Sequence, residues 1–410
     1  MTATLLRRAA LGALLLLGWG LGTGCSEFVQ DVEAPIDEVQ DELIDESQIP
    51  YVIIGLQQQF GQAYGQAAML GDLLSDQCFF DTRVTNATFP TYLDIDQGNP
   101  RRDNNSTTGA MLPLGRAYYI SKDLIERVNR IGTFRNDAIR IQALYNAHLY
   151  GGLVRFVWAS YYGVGPTEGG GFDEGGGPFV PSSQLYDRAV ALWNEALRYA
   201  QNDLQRRTIY SLIARAHLYN GKYAEARAAA QQGLRRGDAP FRALYSTQDN
   251  NPWFFGGGRG RTQIVVDTRF WQRYLVDDPR ESARIPVERA ASAPGTTFFR
   301  QAKYPDRESP LPIITWQENN LMLAELELRL GGSPATALSL VNEVRANYGL
   351  SPLTSVNLDV IYVERDKELF VQGQRLIDQR RFGRWHLPAG TWQYLEITDR
   401  ERLSNPNMGR

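Results

Sequence analysis

Two stretches of the chain place flat aromatic rings beside amides and guanidinium groups. Residues 78–105 hold Phe79, Phe80, Phe89, Tyr92, Arg101, Arg102, Asp103, Asn104 and Asn105. Residues 250–261 run Asn250-Asn251-Pro252-Trp253-Phe254-Phe255, with Arg259 and Arg261 close behind. Such a mixture suits the stacking of ring faces on pyranose rings while amides and charged groups bond the hydroxyls. The candidate contact residues are Phe79, Phe80, Tyr92, Arg101, Asn104, Trp253, Phe254 and Phe255. Asn250-Asn251-Pro252 before the second aromatic run and Gly256-Gly257-Gly258 after it punctuate regular structure, which predicts that a loop displays the run. Three consecutive aromatics need a cover, whether ligand, partner or the protein's own core. For any single ring, anchoring its loop in the core is the stronger reading.

Other chemistry finds little support. There are three histidines, His148, His217 and His386, far apart in sequence, with no HExxH and no cysteine cluster to hold zinc. The glycine runs at 163–165, 169–171 and 175–177 lack the Lys-Ser/Thr of a phosphate loop and read as a flexible loop. Paired acids such as Asp277-Asp278 could serve glycoside hydrolysis, but nothing singles out a pair. No catalytic, metal or cofactor site is expected. With 43 basic and 46 acidic residues and a net charge of −3, the chain has no excess of basic residues to suit a nucleic-acid partner.

At the N-terminus Arg7-Arg8 precede an apolar stretch, Ala9–Leu21, and then Gly22-Thr23-Gly24-Cys25. The stretch is too short for a membrane span and reads as a signal peptide. It resembles a bacterial lipoprotein signal in which Cys25 is lipidated and becomes the first mature residue. It departs from the usual pattern in having Leu21 four residues before the cysteine, with Gly22 in the expected place. Removing residues 1–24 shifts the net charge to −5. Residues 26–47 carry nine acids and no Lys or Arg, so residues 25–48 read as an acidic tether; a helix over 36–44 is the alternative. If Cys25 is lipidated, Cys78 has no disulfide partner and serves as a small buried thiol.

The body that must position the two aromatic stretches reads as mostly α-helical. Helices are predicted at 51–77, 113–130, 134–160, from Ser182-Ser183 as N-cap, at 204–219 and at 223–235. Irregular loops are predicted at 79–112, 161–181, 237–265 and 275–312; such lengths usually serve a function. Tyr210, Ile213, Ala214, Gly221, Tyr223 and Ala226 fall where a tetratricopeptide helix pair places its packing residues. A second pair spans Trp316–Asn347, and a third is indistinct at Leu144–Tyr162. Trp158, Trp193 and Trp316 are assigned to the core, and the charged run Glu364–Arg381 to structural i,i+3 pairs such as Glu364 with Lys367 and Arg375 with Asp378.

Several motifs in order resemble the SusD/RagB group of outer-membrane nutrient-binding lipoproteins. They are Glu364-Arg365-Asp366-Lys367-Glu368-Leu369-Phe370, Gly373, Arg375, Asp378 and Arg380-Arg381-Phe382-Gly383; Trp316-Gln317-Glu318 onward to Asn342, Val344-Arg345 and Gly349-Leu350; and Leu149-Tyr150 to Gly163-Val164-Gly165-Pro166. Gln372 stands where an acid is usual and Ile377 where an aromatic is common. The resemblance implies a SusD-like tetratricopeptide-type scaffold with long loops, no enzymatic activity, and a loop after the first long helix that touches ligand. It also implies capture of a glycan, oligosaccharide or peptide at the cell surface and delivery to a TonB-dependent, SusC-like β-barrel. On this reading residues 1–24 are the signal, 25–48 the tether, 49–236 an N-terminal helical region and 237–410 the C-terminal region. The alternative is a tetratricopeptide-type interaction scaffold in the cell envelope.

Overall fold

The computed structural model describes residues 45–173, 176–292 and 295–408. Cys25 and nearly all of the acidic tether lie outside the described residues, so the signal and lipidation readings do too.

Helix α1 (Ile49–Leu74) is the long central rod, buried over most of its second half. After the short α2 (Pro90–Asp96) come α3 (Asn105–Ile131), α4 (Asp137–Tyr161), α5 (Ser182–Tyr199), α6 (Asp203–Tyr219) and α7 (Tyr223–Ala230). These five pack consecutively, each on the next, and α1 lies against both α3 and α4. A five-residue helix α8 (Pro252–Gly256) follows. Then α9 (Trp316–Arg329) and α10 (Pro334–Asn347) form a second antiparallel pair, and α9 packs on α7. Then come α11 (Leu358–Glu368), α12 (Arg375–Arg381) and a last short helix, Asp399–Ser404.

The sheets are two-stranded clips that tie loops to helices. Strand β1 (Cys78–Phe79) pairs with β6 (Val265–Val266), so the loop after α1 is joined to the segment after α8. β2 (Tyr162–Gly163) runs parallel to β10 (Leu395–Glu396), and β3 (Gly170–Phe172) pairs with β4 (Phe179–Pro181). β5 (Phe241–Ala243) pairs with β9 (Leu311–Ile314), and β7 (Val287–Ser292) with β8 (Thr296–Gln301).

Two helix pairs occur where the small-residue spacing predicts them, turning at Gly221 (φ +74°) and Gly331 (φ +67°). The indistinct third unit is resolved differently: 144–161 belongs to α4, whose partner is α5. α3 begins eight residues before its predicted start, because Asn104 accepts a hydrogen bond from Thr107 N and Pro113 is accommodated inside the helix. Ser182 does not cap α5; it is the helix's first residue, and its hydroxyl donates to Ala159 O at 2.7 Å. The glycines at 169–171 are not a loose loop. Gly170 and Gly171 are strand residues, and Gly171 lies where any Cβ would collide with the Trp158 ring.

The cores of the two halves interlock. Trp158, Trp193 and Trp316 are all buried, and Cys78 is a buried free thiol. Arg215 on α6 pairs with Glu318 on α9, each side chain 1% exposed, with Nε to Oε1 at 2.8 Å.

The Glu364–Arg381 run is structural; it holds one local i,i+3 pair, Asp378 with Arg381, but neither Glu364 with Lys367 nor Arg375 with Asp378. Lys367 bonds Glu281 at 2.9 Å, Glu364 meets Arg284 and Arg345, and Arg375 meets Asp76 at 2.6 Å. Asp378 pairs with the buried Arg365 and with Arg381. These charges are buried, so each bridges to another element instead of sitting in a solvated row. Gly373, at φ +79°, donates its N–H to Asp72 at 2.8 Å, and a Cβ there would lie 2.6 Å from Ala68 Cα. Only glycine lets the C-terminal run close onto α1.

Candidate functional site

A cleft of about 510 Å³ opens where the two aromatic stretches meet over α1. Its floor is α1, through Gln62, Gln66, Met69 and Leu70. One wall is α2 with the start of α3, including Phe89, Tyr92 and Asn105; the other is α8 with Asn250 and Phe255.

The walls are built by specific contacts. Gly65 lets α8 approach α1, since a Cβ there would stand 2.9 Å from Pro252 Cδ, and Gly256 similarly makes room for the Met69 sulfur. Asn251 is fully buried. Its side chain donates to Ser309 O at 2.7 Å and accepts from Trp253 N at 2.9 Å, so it both caps α8 and pins it to the 306–309 turn. Gln263 joins the walls: its Oε1 accepts from Thr88 N at 3.0 Å and Phe89 N at 3.3 Å, while its Nε2 donates to Asn86 O. Asn104 holds the α2–α3 corner by donating to Thr91 O at 2.9 Å.

Within the cleft, Phe89 meets Tyr92 edge-on with centroids 5.5 Å apart, and the Arg261 guanidinium lies 4.7 Å over the Phe89 ring. Burial pushes the Tyr92 phenol up to about 12, with Arg261 pulling the other way, so it stays a neutral donor and acceptor. Its hydroxyl has no hydrogen-bond partner among the described residues. Gln62 donates to Asn250 O at 3.1 Å, while Asn250 Oδ1 is enclosed and unpartnered. Phe255 is 46% exposed and presents the one broad open aromatic surface of the second stretch. The residues that line the cleft include no Asp, Glu, Lys, Arg or His, in a chain that is 22% charged; Arg261, over Phe89 and bonded to Thr88 Oγ1, is the charge that stands against that lining.

Of the residues singled out from sequence, Tyr92 and Phe255 line the cleft. The others do not. Trp253 is fully buried below α8, its ring 6.5 Å from that of Tyr304, so it anchors the loop. The run is therefore a helical turn with one ring out and one in, not three displayed rings. Phe254 is half-buried, packed beside Gly260. Phe79 packs against a small cluster of Val84, Val265 and Phe298, and Phe80 is buried in the main core. Arg101 is exposed and paired with Asp103, and Asn104 is spent on capping. Gln62 and Gln66 were missed because they sit on a helix read only for its apolar face. Phe89, Asn105 and Asn250 stand in the right stretches but were not singled out.

Among the described residues no group of His, Cys, Asp and Glu could hold a metal ion. No described helix is long and apolar enough to cross a membrane.

Residues 307–407 match the SusD family. No curated protein sequence matches the chain. Among solved structures, a SusD superfamily protein from Bacteroides thetaiotaomicron superposes with a TM-score of 0.73 at 16% identity, covering 88% of this chain and 98% of that one. A laminarin-binding SusD-like protein gives 0.70 at 17%, covering 88% and 99%. The surface glycan-binding protein A of Bacteroides uniformis gives 0.66 at 17%, covering 89% and 99%. The chain has the SusD-like fold over nearly all its described length and carries the SusD family's sequence pattern in residues 307–407.

Proposed function

We propose that this protein is a cell-surface receptor that captures an uncharged glycan in the cleft over α1. It is held at the outer membrane by lipid on Cys25 and passes its ligand to a TonB-dependent transporter. The observation that carries the reading is the cleft's lining: aromatic rings and neutral amides from both predicted stretches, without one ionisable Asp, Glu, Lys, Arg or His. Stacking faces and amides match the two surfaces of a sugar ring, its apolar face and its hydroxyl rim. A uronate or sulfated chain would lose hydration of its charges and meet no charge in the lining itself, with Arg261 already held over Phe89 and bonded to Thr88 Oγ1. A peptide's termini would meet the same deficit, which favours glycan over peptide. The similar structures named for laminarin and surface-glycan binding support the same class.

The test is affinity electrophoresis of the full chain against laminarin, xylan, mannan and starch, beside polygalacturonate, alginate and chondroitin sulfate. Retardation by at least one of the first four and by none of the last three is expected. Retardation by the charged polymers alone, or by none of the seven, would overturn the reading.

A further inference from the structure

A second groove, of about 330 Å³, lies nearer the N-terminal end of α1, between α4, the α5–α6 turn and β5. Its lining repeats the chemistry of the cleft. It holds Tyr145, Tyr150 and Tyr199 together with Gln57, Asn146 and Gln205, and again not one Asp, Glu, Lys, Arg or His. We infer that this groove is a second binding site for the same neutral, hydroxyl-rich chain, so that one long glycan engages both sites. The inference rests on the reading of the cleft for the class of ligand.

Three observations carry it. Tyr145 and Tyr150 are only 8% and 5% exposed, yet neither hydroxyl has a hydrogen-bond partner among the described residues. Neither hydroxyl is among the sealed, unpartnered side-chain atoms, so both stay open to a ligand in the groove. The amides, in contrast, are fixed in position: Gln57 Nε2 donates to Asn146 Oδ1 at 3.2 Å, Asn146 Nδ2 donates to Gln142 O at 2.8 Å, and Gln205 Oε1 accepts from Gln201 N at 2.7 Å. Prearranged neutral donors and acceptors are what a hydroxyl-rich ligand requires, since they cost little ordering on binding.

The third observation is the path between the two sites. Gln58, Gln62 and Gln66 follow one another at four-residue spacing and so lie along one face of α1. Gln57 lines the groove, Gln62 and Gln66 line the cleft, and a further depression of about 270 Å³ holds Gln57 and Gln58 together with Leu244, Tyr245 and Asp249. From Gln57 to Gln66 the helix rises about 14 Å and the two residues stand about half a revolution apart, so a chain spanning both sites winds around α1 past Gln58 and Gln62.

The test uses the full chain and a length series of laminari-oligosaccharides and malto-oligosaccharides in titration calorimetry. One variant, Tyr145→Phe with Tyr150→Phe, removes two unpartnered hydroxyls and nothing else. The other, Phe89→Ala with Phe255→Ala, removes the rings of the cleft. A melting curve for each confirms folding. For the series that binds, wild type is expected to gain affinity with length beyond the shortest ligand that fills the cleft. The tyrosine variant should lose that gain by about five-fold or more and keep the short-ligand affinity. If the tyrosine variant binds every length as wild type does while the ring variant fails, the second site is wrong and the cleft reading stands. If the ring variant binds as wild type while the tyrosine variant fails, the groove binds glycan and the cleft reading is wrong. A chain that binds neither series overturns the groove proposal, while the polymer panel still judges the cleft. Competition by a capped, uncharged peptide of Gly, Ser and Thr but not by sugar would make the groove a peptide site and overturn it as well.

Discussion

Trp253 and Phe255 stand two residues apart and do opposite work. Trp253 fills the space beneath α8 beside Ile264, Gly257 and Tyr304, while Phe255 faces the cleft. Sequence placed both in the right stretch but could not choose between them, because the choice depends on one helical turn that the flanking Asn, Pro and Gly residues disguised as loop. Trp253→Ala should destabilise by about 3–5 kcal/mol, the cost of emptying a large aromatic site. A thermal or denaturant melt checks it. An unchanged melting temperature with affinity lost would mean that the tryptophan faces ligand after all. Gln263 teaches the complementary lesson. Nothing about a lone glutamine after a glycine-rich stretch signals that it will clamp residues 86–89, since that bond is between segments about 175 residues apart.

At the scale of elements, helix existence was legible wherever apolar periodicity ran long, as in α1, α4 and α6. The two tetratricopeptide-type pairs were legible from small residues at their turns. What failed was local chemistry that competes with tertiary contacts. The start of α3 at the Asn104 cap lies inside the predicted loop 79–112; most strands are two to four residues long and carry no period, and the six-residue pair β7–β8 lies inside the predicted irregular loop 275–312. α2 gives a sharper test. Asp96 sits at its C-terminal end, half-buried, where burial pushes its pKa up to about 6 and the hydrogen bond from Phe80 N, at 3.2 Å, pulls the other way. Below about pH 4 folded and unfolded chains both hold this proton. Between about pH 4 and 6 the unfolded chain releases it while the folded chain retains it, so stability falls as pH rises through that window. Asp96→Asn should therefore leave stability unchanged at pH 4 and raise it by about 1–2 kcal/mol at pH 7, after discounting for its partial exposure. Denaturant melts at the two pH values decide it. Equal effects at both would remove the titration from the account.

At the scale of the whole molecule, the C-terminal run is what closes the body. Burial alone would push Asp366 up, but Arg269 and Arg375 hold its carboxyl well below the usual carboxylate range, and Asp76 receives Arg375 from across the chain. Sequence identified this run as structural and as the firmest part of the family resemblance. It could not supply the partners, which come from Asp72 on α1, Asp76 just beyond it, the 267–284 region, α9 and α10. Attachment is a separate matter. Since no described helix can span a bilayer, membrane retention on the proposed reading depends on Cys25. Cys25→Ala should move the protein from the outer-membrane pellet to the soluble fraction and abolish labelling by a fatty-acid probe; retention with labelling intact would refute lipidation there.

The central claim is that the uncharged aromatic cleft over α1 is where glycan binds. It is tested most directly by the affinity of wild type and Phe255→Ala for whichever neutral polysaccharide the wild type retains, measured beside their melting temperatures. Phe255 is already half in solvent, so its loss should leave the melting temperature within about 2 °C while affinity falls about ten-fold, the equivalent of about 1.4 kcal/mol. Unchanged affinity at unchanged stability would contradict the cleft as the binding site.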